Sequence, residues 1–307
     1  MPTLDSKQFS EDPKKLLEEG RYWAKDIDLI IGTTKDEGSL FAFMTFPLMS
    51  LTQEVYEDAV RAAFNETVSF RGEKINAAEA ILSFYKDAKP IDPSSSESTP
   101  LDRASAIIGD LSFQCDAEKA ALWTSRHSRV YKYLFSHLAA TSRQSLGVYH
   151  ASELPFVFQI TPGGFFVSSF TDEELALSNL IIDQFVSFAL SGSMTNAVSW
   201  PLFSTNSHST LVFELPQTTI AAEYKKETCD FWRELLPNGP KSERIDTLRA
   251  EQHHSWFFNS VVFGLLMKFG KYLKYVFFVF VGLILFSILR CFLRKKKPSP
   301  AHKKKLA

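Results

Sequence analysis

The body of this chain lacks the excess of positive charge that nucleic-acid binding requires. The 307 residues carry a formal net charge of −1, yet eight basic and no acidic residues stand between Arg290 and Ala307. Residues 1–289 therefore carry a formal charge of −9. An acidic body followed by a short basic tail argues against nucleic acid as a partner of the body.

An apolar leader is also missing from the first residues. The opening stretch MPTLDSKQFSEDPKK is polar and has no apolar core of the kind that a secretory signal peptide needs. The sequence therefore predicts no signal peptide within this chain.

Cysteine is scarce, because only Cys115, Cys229 and Cys291 occur. Cys291 lies at the edge of an apolar segment, where it is a candidate for palmitoylation. The other two are able to form a disulfide in an oxidising compartment. Such a bridge would close a loop of about 114 residues and contribute about 4–5 kcal/mol in the chain-entropy model. The alternative is a pair of unrelated buried thiols.

The longest apolar segment lies near the C-terminus. The run from Tyr275 to Leu289 is uncharged over 15 residues, and Arg290 at its end can snorkel to the interface. Extended to Leu293, it gives a helix of about 28 Å, close to the thickness of an endoplasmic reticulum bilayer. We predict a single transmembrane helix over residues 271–293. The alternative, a buried core helix, is disfavoured by the basic tail that follows.

The predicted span has a distinct segment on each side. Residues 238–270 mix aromatic and basic side chains and are interpreted as a linker with an amphipathic juxtamembrane segment. Residues 294–307 form a basic tail, predicted to be cytosolic, that ends in KKLA. Lys304 and Lys305 occupy the positions of a dilysine signal, which coat-protein retrieval machinery reads. The alternative is a solvated tail that attracts anionic membrane lipid.

These features predict a single-pass type I protein of the endoplasmic reticulum with residues 1 to about 270 in the lumen. The Asn65-Glu66-Thr67 triplet, an N-glycosylation sequon, agrees with a lumenal body. The polar start conflicts with this topology. Without a signal peptide, the span could insert as a tail anchor, which would leave the body in the cytosol and place the basic tail in the lumen. That orientation would violate the positive-inside rule. We therefore expect this sequence to be the C-terminal part of a longer protein or an incomplete gene model.

Within the body, apolar runs alternate with helical patterns, which predicts an α/β protein. The predicted strands are 27–33 and 128–137, and the predicted helices are 53–64, 75–86, a pair within 101–126, and 171–190. Thr171 and Glu174 form a capping box at the start of the last helix, and Gly192 stands at its end. Residues 89–100 are rich in proline and serine and are predicted to be a loop.

Two residues of this body form a candidate catalytic pair. Glu37 follows one predicted parallel strand, and His150 lies in the loop after another. Functional groups collect at the carboxyl ends of strands in open α/β sheets. A carboxylate that orients a histidine is two-thirds of a Ser-His-Glu triad, in which the histidine shuttles the proton. Taken alone, each residue also fits a structural interpretation, as an exposed loop glutamate and a satisfied histidine.

Several motifs resemble those of the type B carboxylesterase and cholinesterase family. The stretch IIGTTKDEGSLF resembles the segment that carries the family's triad acid, and GVYHASELPFVF resembles the one that carries its histidine. The segment SFALSGSMTNAVSWPLF resembles the helix end and Trp-Pro motif that follow. The resemblance covers about residues 2–237 in the family's order. It implies that residues 1–237 are the C-terminal portion of an α/β-hydrolase fold, with an incomplete sheet.

The resemblance also implies roles for individual residues. Glu37 would be the triad acid and His150 the base. Cys115 and Cys229, the latter before DFWRELLP, resemble the late disulfide of the cholinesterase branch. No cofactor is implied.

The family's nucleophile is absent from these 307 residues. No serine stands in a GxSxG elbow, and Gly163-Gly164 lies after the histidine, where the oxyanion glycines do not belong. Because the family's chain order is serine, acid, histidine, the missing parts are expected upstream of Met1. Loss of the serine costs on the order of a millionfold in turnover, so this chain by itself is expected to be inactive.

Three hypotheses for function follow. The first is a membrane-anchored carboxylesterase that hydrolyses small-molecule carboxylic esters when completed by an N-terminal half. The second is a catalytically inactive, neuroligin-like interaction protein, and the third is a truncated pseudoenzyme. The presence of both Glu37 and His150, together with the KKLA ending, favours the enzyme.

Other candidate residues receive structural interpretations. His253 and His254 have no third ligand at suitable spacing, so no metal site is predicted. The remaining expectations are a site-structuring role at most for Glu153, surface positions for His127 and His137, and packing for Trp200 and Pro201.

Overall fold

The computed structural model describes residues 11–21, 27–45, 51–163 and 167–237, all within the compact unit Met1–Pro240. The predicted span at 271–293, the flanking segments from 238 onward and the histidines at 253 and 254 lie outside the described residues. Across the described ranges, no helix combines the length and the apolar character needed to cross a bilayer.

The strands of the described residues form one mixed sheet and one hairpin. They are β1 (Leu29–Thr34), β2 (Thr67–Phe70), β3 (Glu73–Asn76), β4 (Val130–Phe135), β5 (Thr210–Phe213) and β6 (Thr219–Ala221). The sheet has the order β1-β4-β5-β6, in which β1, β4 and β5 are parallel and β6 is antiparallel to β5. The antiparallel pair β2-β3 stands apart from it. The carboxyl ends of β1 and β4 therefore lie at the same edge, as the sequence predicts.

Helices make up about half of the remaining described residues. They are α1 (Pro13–Glu18), α2 (Ser39–Thr45), α3 (Gln53–Phe64), α4 (Ala77–Phe84), α5 (Pro100–Gly109), α6 (Cys115–Thr124), α7 (Leu154–Phe158), α8 (Asp172–Ser191) and α9 (Lys226–Leu235). A π-helical turn at Asp110–Gln114 joins α5 to α6. A short 3₁₀ turn at Gln144–Leu146 precedes the segment that carries His150.

Side-chain caps explain where several helices begin. The capping box predicted for α8 is present, because the Thr171 side chain accepts the Glu174 amide and Glu174 accepts the Thr171 amide. Gly192 ends the same helix with a left-handed φ of 68°. The predicted helix 75–86 is wrong at its start. Asn76 caps α4 through the Glu79 amide, and the residues before it pair as β3.

The sheet and α8 enclose one apolar core. Trp200 is 6 % exposed and its indole N–H donates to the Lys132 carbonyl at 3.0 Å, which confirms the predicted packing role. The ring lies edge-on to Tyr131 and Phe213 from neighbouring strands. His137 corrects the expectation of a surface position. It is largely covered, with Nε2 3.0 Å from the Glu174 carboxylate, because the cap of α8 reaches back to the end of β4.

A second core joins the helices that flank the hairpin. The ring of Trp232 on α9 packs against Phe64 of α3, and its N–H donates to the Tyr85 hydroxyl at 2.7 Å. The disulfide between Cys115 and Cys229 connects the first residue of α6 to α9. The pairing implied by the resemblance is therefore present.

An ionic cluster lies buried beside the sheet. Lys132, in the middle of β4, has a side chain that is 1 % exposed and forms an ion pair with Glu118 of α6. The other Glu118 oxygen is 2.7 Å from Nδ1 of His208, which is also buried. The Lys132 ammonium lies 5.4 Å from the centre of the Phe203 ring. Burial lowers the pKa of Lys132, and Glu118 opposes that effect.

Candidate active site

Glu37 stands in the turn that follows β1 and is fixed by its own backbone surroundings. Its Oε1 accepts the amide of Thr34, the last residue of β1, at 2.7 Å. The residue is 7 % exposed. The strand end thus holds one carboxylate oxygen and leaves Oε2 to face a partner from another segment.

That partner is His150. Nδ1 of the imidazole lies 2.6 Å from Oε2 of Glu37, so the structure brings together the two residues that the sequence pairs. The imidazole is 40 % exposed, whereas the carboxylate is 8 % exposed. Nε2 has no hydrogen-bond partner among the described residues. The pair therefore has a shielded acid side and an open base side.

The electrostatics of the pair follow from this contact. The Glu37 carboxylate at Nδ1 raises the pKa of His150, although partial burial opposes the increase. This contact also fixes the tautomer. A carboxylate can only accept a hydrogen bond, so Nδ1 must carry the proton and act as the donor. Nε2 is then the nitrogen with a free lone pair, which is the arrangement that a general base needs.

Two phenylalanine rings cover the histidine. The ring centres of Phe41 on α2 and Phe113 in the π-helical turn lie 5.1 Å and 4.8 Å from the His150 ring. The two phenylalanines also stack on each other with centres 5.4 Å apart. These rings limit the freedom of the imidazole and exclude water from one side of the pair.

Glu153 adds a second carboxyl group near the pair. It is largely buried, and its Oε2 makes no hydrogen bond among the described residues. Burial raises the pKa of Glu153, and the negative charge of Glu37 contributes in the same direction. This increase favours the neutral carboxylic acid and so reduces repulsion between the two acids.

Close backbone packing at Gly38 fixes the turn that carries Glu37. A Cβ at this position would lie 1.9 Å from the Ser105 carbonyl oxygen and 2.5 Å from the Gly109 amide nitrogen, both on α5. Only glycine lets the helix approach so closely. The sequence gives a partial signal for this contact, because Gly38 follows Glu37 directly, but the partner glycine is 71 positions later along the chain.

The structure describes some of the other predicted site residues and not others. Asn65 ends α3 with an exposed side chain, so the proposed glycosylation site is accessible. Lys304 and Lys305 lie outside the described residues, and Gly163 is described without Gly164. No group of three or more potential metal-ligating side chains occurs in the ranges that the structure describes. The sequence alone does not identify Phe113, whose ring lies against His150, or Asp36, whose carboxylate accepts a hydrogen bond from the Val148 amide.

Comparison with known proteins gives this arrangement a context. The profile of the carboxylesterase family matches residues 1–232. Acetylcholinesterase from Bungarus fasciatus is 27% identical over 246 residues, which cover 77% of this chain and 39% of that protein. Para-nitrobenzyl esterase from Bacillus subtilis (strain 168) is 31% identical over 216 residues, covering 69% of this chain and 39% of the esterase.

A solved structure agrees with these relatives. A thermophilic PNB esterase superposes with a TM-score of 0.56 at 27% sequence identity, covering 75% of this chain and 43% of that one. This chain thus spans about two-fifths of the length of the relatives that it matches. The described fold, with its partial mixed sheet, is similar to theirs. Because the family profile matches about three-quarters of the residues, this chain belongs to the carboxylesterase family.

Proposed function

We propose that this chain supplies the acid and the base of a Ser-His-Glu triad, and that the protein containing it hydrolyses carboxylic esters. The observation that carries the proposal is the 2.6 Å contact between Nδ1 of His150 and Oε2 of Glu37, with Nε2 left unpartnered among the described residues. In this proposal the nucleophilic serine comes from a polypeptide segment outside these 307 residues. The chain together with that segment is called the complete protein below.

The proposed reaction has two steps. In the first, the serine hydroxyl attacks the ester carbonyl while Nε2 of His150 takes its proton, and Glu37 stabilises the resulting imidazolium. The imidazolium then gives that proton to the departing alkoxide, which leaves an acyl-enzyme. In the second step, a water molecule attacks the acyl carbon, again with His150 as base, and the serine regains its proton.

The pH dependence of hydrolysis tests this proposal. Glu37 raises the pKa of His150, and only the neutral imidazole accepts a proton. We expect the complete protein to hydrolyse p-nitrophenyl acetate, with kcat/KM falling as the pH decreases through a midpoint above the usual histidine value of about 6.5. The measurement is a pH–rate profile under conditions where the circular dichroism spectrum is constant.

The same profile separates the enzyme from the alternatives. A folded complete protein that hydrolyses no ester at any pH would favour the neuroligin-like interaction protein or the pseudoenzyme. An acid limb at or below the usual histidine value would reject the assigned role of Glu37.

We also propose that the protein is anchored in the endoplasmic reticulum through residues 271–293, with residues 1 to about 270 in the lumen. The basic tail, the exposed Asn65 sequon and a disulfide of the kind formed in oxidising compartments support this location. In this proposal, membrane lipid surrounds the span and the retrieval coat reads Lys304 and Lys305.

Replacement of both terminal lysines by serine tests retrieval. We expect the complete protein with Lys304→Ser and Lys305→Ser to reach the cell surface, because the receptor-read signal is lost while the span is unchanged. Replacement of Lys295 and Lys296 by serine removes the same charge within the tail and is the matched control. Surface biotinylation reports the outcome, and unchanged reticular retention of the first variant would contradict the retrieval proposal.

A further inference from the structure

Two chain segments that meet at the candidate active site are joined by a set of paired contacts. The amide of Asp36 donates to the carbonyl of Val148 at 2.9 Å, and the amide of Val148 donates to Oδ2 of Asp36 at 2.9 Å. Asp36 also forms a parallel bridge with residue 149. A single residue thus binds the backbone of the histidine segment through both its main chain and its side chain.

The position of these contacts matters for the catalytic pair. Asp36 directly precedes Glu37, and Val148 stands two residues before His150. The pairing of Asp36 with Val148 therefore lies just before the contact between Oε2 of Glu37 and Nδ1 of His150. The hydroxyl of Ser39 donates to the Leu146 carbonyl at 2.6 Å, which is a further contact between the same two segments.

Gly147 makes room for the Asp36 carboxylate. A Cβ on Gly147 would lie 2.5 Å from Oδ2 of Asp36. The backbone φ of Gly147 is 59°, a value that residues other than glycine rarely adopt. Asp36 is also partly buried, and this burial raises the pKa of its carboxyl group, with the Val148 amide and Lys35 opposing the increase. An oxygen able to accept the Val148 amide is present in either protonation state.

We propose that Asp36 is a positioning residue for His150, holding the histidine segment in register so that Nδ1 meets Glu37. Asp36 touches neither substrate nor the reacting atoms and acts through the backbone of Val148. The inference rests on the proposed hydrolytic function for its consequence in catalysis, whereas its structural part concerns the state of the imidazole alone.

Nuclear magnetic resonance of the histidine ring tests the structural part. In the full chain labelled with ¹⁵N-histidine, the Nδ1 proton of His150 should resonate far downfield, and His150→Gln identifies it. We expect Asp36→Ala to abolish that signal and to lower the pKa of His150, because the bond to Glu37 is no longer maintained. Asp36→Asn keeps an acceptor oxygen for the Val148 amide and should retain the wild-type signal.

A matched control removes the same type of bond elsewhere. Asp92 accepts the Ser94 amide at 2.8 Å in an exposed turn, so Asp92→Ala should leave the His150 signal unchanged. A folded Asp36→Ala protein with wild-type His150 titration would overturn the inference. If that variant does not fold, hydrogen exchange in the unmodified chain tests the inference instead. Rapid exchange of the Val148 amide would show that its hydrogen bond to Asp36 does not hold the histidine segment.

Catalysis provides a separate measurement. In the complete protein, Asp36→Ala should lower kcat by about 100-fold with little change in KM, as expected for a base displaced by about 1 Å. An altered His150 signal in a complete protein without esterase activity would support the positioning role and reject the proposed function. A normal His150 signal with normal activity would reject the positioning role and leave the proposed function intact.

Discussion

Replacement of Glu37 by glutamine is expected to reduce ester hydrolysis by the complete protein about 10⁴-fold in kcat. Glutamine preserves the size of the side chain and can still accept the Thr34 amide. It removes the charge that stabilises the imidazolium, and its amide group can donate to Nδ1, which favours the tautomer with the proton on Nε2. That tautomer cannot take a proton from a serine hydroxyl.

The measurement is kcat and KM for p-nitrophenyl acetate at the pH of maximal rate. Glu79→Gln is the matched control, because Glu79 is an exposed acid that pairs with Arg61 on the surface of α3 and α4. Its kcat should equal that of the unmodified protein. A Glu37→Gln protein that keeps more than about a tenth of the activity would contradict the assigned role, since a tenfold loss is only 1.4 kcal/mol of transition-state stabilisation.

The spacing of the pair also sets an expectation for a shorter acid. Glu37 uses one oxygen for the Thr34 amide and the other for Nδ1 of His150. An aspartate at this position lacks one methylene and is unable to span both partners without movement of the turn. The packing of α5 against Gly38 opposes that movement. Glu37→Asp should therefore lie between the unmodified protein and Glu37→Gln in kcat.

Local sequence patterns predict those parts of the fold whose causes are local. The capping box at Thr171 and Glu174 sets the start of α8 within a few neighbouring residues, and the apolar run at 27–33 corresponds to β1. The pair of Glu37 and His150 is also foreseeable, because both residues follow parallel strands. The order of motifs in the family that this chain resembles predicts the same pairing.

Other features depend on partners that are distant in sequence. Strands β5 and β6 are only four and three residues long, too short for a periodic pattern to stand out from the surrounding loop. The sequence places Asp36 in a loop and gives no sign of its hydrogen bond with the Val148 amide, which lies 112 positions later. The nearness of Phe113 to His150 arises from the π-helical turn, which has no distinctive composition.

Lys132 shows the same limit in the core. The segment SRVYKYLFSH predicts a strand, but a lysine in its centre is ordinarily assigned to the solvent face. The structure buries it because Glu118 and Phe203, from elsewhere in the chain, provide a counter-charge and a ring face. The identity of residue 132 thus depends on residues 14 and 71 positions away along the sequence.

Replacement of Glu118 by glutamine is therefore expected to lower the free energy of unfolding by about 3–5 kcal/mol, because it leaves a buried ammonium without a counter-charge. Glutamine keeps an oxygen for Nδ1 of His208, so the loss reports mainly on Lys132. Chemical denaturation of the full chain in detergent micelles, followed by tryptophan fluorescence, gives the measurement. Glu234→Gln breaks the exposed pair with Arg71 and should cost no more than about 1 kcal/mol.

The pH dependence of this loss gives it a distinct signature. Because burial lowers the pKa of Lys132 in the folded chain, the unfolded chain binds more protons, and stability attributable to this residue rises with pH. Removing Glu118 enlarges that difference, so the deficit of Glu118→Gln should shrink as the pH approaches the unfolded lysine value of about 10.4. The double variant Lys132→Met with Glu118→Gln contains no buried ammonium and should recover most of the lost stability. A double variant as unstable as Glu118→Gln would show that altered packing, rather than the uncompensated charge of Lys132, causes the loss of stability.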